Sequence, residues 1–298
     1  ILQVSVMPDM PTATTTRSEI MLEGLIDYAG LYPPANLDMQ ATVHNWSANY
    51  SSEDRWMLAR LIIPVNRLDE FTQAAEQLVP KSDEEPWQLS VLLPEASSDS
   101  FTAAAQQVVD FNLSNCGAVA NVVEFKATTT AEIDTALSCL HDDIFPFIEL
   151  PINQDPRGLI AALAGSIAGA KVRTGGISPE LYPSVEDFAR FIHCCTISKL
   201  QFKATAGMHH PCRNYNESIG VHEFGFLAVL YATVAAKFHD ATPERIADIL
   251  QSDVVDLESC TEEMLELVRA ELFCSFGSCS IDDPRTDLQA MGLLQETK

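Results

Sequence analysis

The chain has 298 residues, of which 47% are hydrophobic, enough to build one large α/β domain around a substantial core. Eighteen Lys and Arg face 42 Asp and Glu, for a net charge of −24. Such a surface repels nucleic acid and anionic membranes, and no apolar run approaches the roughly 20 residues that span a bilayer. Eight cysteines, including the adjacent Cys194 and Cys195, show neither CxxC nor zinc-knuckle spacing. They read as reduced thiols of a cytoplasmic protein, mostly small packing residues. The first residue is Ile1 rather than Met, and the opening stretch has none of the features of a leader.

Residues 1–17, rich in Thr and Pro, are expected as an extended arm, and 18–298 as a single barrel domain. Leu25-Ile-Asp-Tyr-Ala-Gly30 gives a first strand, broken by Gly30 and Pro33-Pro34, with a helix at 37–50. Strands at 58–64 and 87–94 follow, with helices at 67–79 and 99–113. The alternation continues through strands at 118–126, 144–151 and 169–174, with helices at 130–141, 156–165 and 184–195. A seventh strand begins at Leu200 and breaks at Gly207. The Ala-rich segment 217–238, apolar on most faces, predicts one long buried helix. It suits packing against the barrel or a subunit interface, so a homo-oligomer is compatible with it. Helices at 243–252 and 261–270 precede an eighth strand at 272–277 and a closing helix at 285–294.

Eight apolar strands, each followed by a helix, predict a TIM (β/α)8 barrel with extra helices between strands seven and eight. An open doubly wound sheet is the competing architecture, but no GxGxxG follows the first strand.

In a barrel the strand C-termini converge on one mouth, which collects the chemistry. Period two puts Glu124 with Lys126 on one face of strand four, Lys171 with Arg173 on one face of strand six, and Lys203 with Thr205 on one face of strand seven. Glu149 closes strand five, and His209 and His210 follow strand seven. Four basic groups near the core of so acidic a protein predict a site for a small anionic molecule. Gly-rich turns strengthen that reading: Gly175 and Gly176 after strand six, Gly207 after seven, Gly277 and Ser278 after eight. Their backbone N–H groups suit an anion.

A lysine desolvated and crowded by cations attacks carbonyls to form a Schiff base. Lys203, expected beside Lys171, Arg173 and Lys126, is the first candidate, though spacing leaves the choice among Lys126, Lys171 and Lys203 open. Glu124 and Glu149 are the proton-transfer candidates, with His209 and His210 for substrate contact or proton shuttling. No cofactor is expected on this reading. Two alternatives stand beside it: a metal-dependent hydrolase or isomerase with His209, His210 and the two glutamates around a divalent ion, and a non-catalytic ligand-binding barrel in which Glu124, Glu149, Lys126 and Lys171 form a structural salt-bridge network.

Leu25-Ile-Asp-Tyr-Ala-Gly-Leu-Tyr-Pro-Pro34, Phe202-Lys-Ala-Thr-Ala-Gly-Met-His-His-Pro211 and Ser275-Phe-Gly-Ser-Cys-Ser280 together resemble an uncharacterised bacterial (β/α)8-barrel family. That family's His-Gly-Phe-Leu stands here as His222-Glu-Phe-Gly-Phe-Leu227. More distantly, Lys203-Ala-Thr-Ala-Gly207 is similar to the Lys-x-Ser/Thr-Thr-Gly strand end of class I aldolases of the deoxyribose-phosphate aldolase type. The resemblance implies a Schiff-base role for Lys203 and a polar contact from Thr205, with Ala206 replacing the second hydroxyl residue. Their second lysine, in Lys-Ala-Ser-Gly-Gly, has its nearest counterpart in Lys171-Val-Arg-Thr-Gly-Gly176, one residue longer and on the preceding strand.

Overall fold

A computed structural model of the protein describes residues 16–81, 84–114 and 116–295. The strands are β1 (Ile26–Tyr28), β2 (Leu58–Pro64), β3 (Trp87–Leu92), β4 (Ala118–Lys126), β5 (Phe145–Glu149), β6 (Gly169–Arg173) and β7 (Phe202–Thr205). A hairpin of β8 (Asn214–Asn216) and β9 (Val221–Glu223) then precedes β10 (Phe273–Ser278). β1 to β7 pair in sequence order, and β10 closes the ring between β7 and β1, every pair parallel. This is the α/β TIM barrel that the alternation predicts.

The helices are α1 (Arg17–Leu22), α2 (Met39–Tyr50), α3 (Leu68–Ala75), α4 (Phe101–Leu113), α5 (Thr130–Ser138), α6 (Arg157–Leu163), α7 (Val185–Ile197), α8 (Phe226–Phe238), α9 (Pro243–Gln251), α10 (Glu262–Glu271) and α11 (Asp282–Ala290). Side chains of Asp38, Thr129, Ser184, Thr242 and Thr261 accept first-turn N–H groups of their helices, satisfying donors that have no partner within the helix. The layer between strands and helices is apolar. Trp46 of α2, for example, meets Trp87 of β3 edge to face at 6.4 Å between ring centroids.

Two expectations need correction. The long helix at 217–238 begins only at Phe226, because Asn214–Glu223 folds into the hairpin. Its turn is set by Asn216, whose side-chain oxygen accepts from Ser218 N and Ile219 N, and by Gly220 at φ +78°. α8 is apolar all round because β10 lies on one side and α7, α9 and α10 on others, so its faces are covered within the chain. The closing helix starts at Asp282 rather than 285, with Asp282, Asp283 and Pro284 in its first turn. Finally, the expected arm at 1–17 lies outside the described residues up to position 15, and at its end Thr16 and Glu19 cap α1 reciprocally.

Cys194 and Cys195 are buried packing residues of α7. No helix among the described residues is long and apolar enough to cross a membrane.

Candidate active site

Barrels of this kind are commonly filled with branched aliphatic side chains. Here one interior layer is polar. Asp27 on β1, Ser90 on β3, Glu124 on β4, Lys171 on β6, Lys203 on β7 and Ser275 on β10 are all buried.

Strand register explains how they meet. Lys171 and Lys203 are direct cross-strand partners, a like-charge placement that would repel if nothing lay between them. Glu124 lies between them. Its Oε1 is 2.6 Å from Lys203 Nζ and its Oε2 2.8 Å from Lys171 Nζ. Lys203 Nζ also reaches Asp27 Oδ2 at 2.5 Å, and Lys171 Nζ reaches Glu149 Oε2 at 3.2 Å. Arg173 Nε ends the series, 3.7 Å from Glu149 Oε1. The result is an alternating chain, Asp27–Lys203–Glu124–Lys171–Glu149–Arg173, with three charges of each sign. Ser275 Oγ donates to Asp27 Oδ2 at 2.5 Å and Ser90 Oγ to Glu124 Oε1 at 2.6 Å, which uses further lone pairs at the buried end.

Burial opposes ionisation of Glu124, yet Lys171 and Lys203 outweigh it and hold the carboxyl well below the ordinary glutamate range. Burial likewise opposes charge on Lys171, but Glu124 and Glu149 prevail and raise its ammonium well above the ordinary lysine range.

A cavity of about 300 Å³ opens above this layer at the strand C-termini. Lys171, Arg173, Thr205 and His209 line it, as do Glu124 and the backbone of Gly176, Gly207 and Gly277. Lys203 is 1% exposed and does not line it; its ammonium lies beneath, between two carboxylates and 5.7 Å from the centre of the Phe147 ring. The crowding of Lys203 by cations, expected from spacing alone, is therefore corrected: its charged contacts are Asp27 and Glu124.

Other expected residues also fall elsewhere. Lys126 projects past the end of β4 into solvent and pairs weakly with Glu95 at 3.8 Å, so it belongs to neither cavity nor network. His210 turns away to Asp287 on α11, 2.6 Å from Nδ1, and tethers its loop there. Ser278 Oγ donates to Ser280 O at 2.6 Å and lies 3.3 Å from His209 Nδ1, beside the cavity wall. Gly175 has a backbone role. A Cβ there would stand 2.7 Å from Gly207 Cα, and one on Gly207, at φ +68°, 2.9 Å from Gly175 Cα. Only two glycines let the loops after β6 and β7 approach this closely.

Sequence patterns pass over two residues that matter. Asp27 sits in an apolar strand, 176 positions from its partner Lys203. Tyr32 lies in the loop after β1 and lines the cavity, and its buried hydroxyl has no hydrogen-bond partner among the described residues. Burial, with a smaller push from Glu124, raises this phenol to about 12. A buried polar group without a partner costs stability, and this one belongs to a residue of the cavity wall.

His209 is buried enough that desolvation lowers its pKa, leaving a neutral imidazole at the cavity. With His210 turned outward, the expected metal constellation is dispersed, and among the described residues no group of three or more His, Cys, Asp or Glu could hold a metal ion. No family model matches this chain, and no curated protein matches it.

Proposed function

We propose that the barrel binds a small carboxylated or phosphorylated carbonyl compound and performs lyase chemistry, of the aldolase type, through a Schiff base on Lys171. One observation carries this reading: among the described residues Lys171 is the lysine that lines the cavity, while Lys203 is 1% exposed and does not. Arg173, its side chain 45% exposed at the mouth, offers the charge for the acidic end of the ligand.

The steps follow from the neighbours. The Lys171 ammonium passes a proton to Glu149, 3.2 Å away, and the free amine attacks the carbonyl carbon. Tyr32 donates a hydrogen bond to the carbonyl oxygen. Return of the proton from Glu149 releases water and leaves an iminium ion. That ion carries the same single positive charge as the ammonium it replaces, so the pairing with Glu124 and Glu149 persists through the reaction. When the C–C bond breaks, its electron pair passes into the iminium to give an enamine, and His209 takes the proton of the substrate hydroxyl.

Reductive trapping tests this. The protein is incubated with borohydride and a panel of keto acids and phosphorylated aldehydes and ketones, then weighed intact and peptide-mapped. The expected result is an adduct on Lys171 that disappears in Lys171→Ala. An adduct on Lys203 would overturn the residue assignment. Saturable binding with no adduct from any compound would overturn the chemistry and leave a binding barrel.

A further inference from the structure

Beyond Gly207 a second compartment of about 90 Å³ lies between the loop after β6 and the β8–β9 hairpin, sharing its His209 and Gly207 walls with the main cavity. The mouth sets Lys171 and Arg173 beside Glu124, whereas among the described residues no lysine or arginine lines this compartment. Glu223, at the end of β9, lines it and is 4% exposed. Two neutral donors reach that carboxylate, Tyr182 OH and Asn216 Nδ2, each 2.8 Å from the same oxygen, Oε1. A carboxylate this buried is costly without an opposite charge, and neither donor supplies one.

We propose that this compartment is an ammonium subsite, so that the substrate is bipolar: its acidic end sits at Arg173, its carbonyl at Lys171, and a primary amine at Glu223. The assignment rests on the carbonyl reading of the main cavity. The difference between the two linings carries it. Arg173 brings positive charge to the wall of the first chamber, whereas Glu223 gives the second a buried negative charge. Tyr182 and Asn216 hold the carboxylate in place by bonding Oε1. Tyr182 OH also lies 3.3 Å from Gly176 O, which ties the hairpin to the loop that both chambers share.

The test compares keto acids carrying a terminal ammonium at increasing chain length with methyl-terminated compounds of the same lengths. Affinity is read by titration calorimetry and adduct formation by borohydride trapping. At one length the wild type is expected to prefer the ammonium compound by about ten- to a hundredfold, the range for a hydrogen bond to a charged group. Glu223→Gln keeps an acceptor oxygen for Tyr182 and Asn216 but removes the charge. It is expected to abolish that preference and leave methyl-terminated affinity within about twofold. Equal affinity for the two series in the wild type, or an equal loss for both in Glu223→Gln, would overturn the subsite. A calorimetric preference for the ammonium with no trapped adduct would support the subsite and overturn the Schiff base. Adducts on Lys171 without any preference would do the reverse.

Discussion

Lys171 and Lys203 are adjacent in the sheet, identical in chemistry and bound to the same glutamate, yet they occupy different worlds. Lys203 sits between Asp27 and Glu124 with its remaining environment closed by protein. Lys171 shares Glu124 but has as its second carboxylate Glu149, which is nearer the end of the network, and it lines the cavity. One step along the barrel wall turns a buried ion pair into a candidate reactive group. Position relative to the mouth, rather than residue type, separates them.

The sharpest way to break this comparison is to remove each lysine in turn. Lys203→Met leaves Asp27 and Glu124 short of a buried partner and is expected to cost about 3–5 kcal/mol in chemical denaturation, the range for stripping a buried pair of one member. Lys171→Met should cost clearly less, because Glu124 keeps Lys203 and Glu149 keeps Arg173, but it should eliminate trapping. Equal losses of stability would mean the two lysines are equivalent structural members.

Acid sharpens it next. Glu124 ionises more readily folded than unfolded, so its contribution is complete above the ordinary value of 4.5 and fades as pH falls below that. Stability measured from pH 6 to about pH 2 should therefore decline on the acid side. Lys171 carries the opposite sign: its raised pKa stabilises the fold fully below the ordinary 10.5, and this is lost at higher pH. Because only the free amine attacks, the trapping rate should climb with pH into the alkaline range. A rate maximum near neutrality would contradict the pairing seen here.

Tyr32→Phe is expected to move function and stability in opposite directions. Its buried hydroxyl has no partner among the described residues, so removing it should raise stability by about 1–3 kcal/mol, while affinity for a carbonyl ligand or trapping rate falls about tenfold. Loss of stability without loss of binding would remove Tyr32 from the site. The smallest effect is expected from Lys126→Ala, whose exposed pair with Glu95 contributes no more than about 0.5 kcal/mol and which should leave trapping unchanged.

The barrel was legible because parallel strands buried on both faces are continuous apolar runs, and eight of them alternate with helical patterns. The hairpin was not, since Val221-His-Glu223 is too short to show a period and leads straight into the apolar α8. Within the site, the strand ends picked out Glu124, Lys171 and Lys203 as mouth candidates, and the three do converge on one layer. Strand position alone could not say which strand each would meet across the barrel. Asp27 and Ser275 therefore went unseen, and Lys203 was surrounded in expectation by cations when its contacts are acidic. Lys126 shares the face of Glu124 but lies at the strand's last residue, where a long side chain escapes to water. Tyr32 is in a loop, where no periodicity applies.

The contact between Gly175 and Gly207 has an evolutionary consequence. These residues bring the two loops together through main chain alone, and Gly207 borders both chambers. A side chain at either position would collide with the opposite backbone. On the proposed reading, substitutions that retune ligand preference would therefore fall on the other walls, at Ile177, Leu181 and the hairpin. Descendants of this protein could retune what enters each chamber long before they could merge the two.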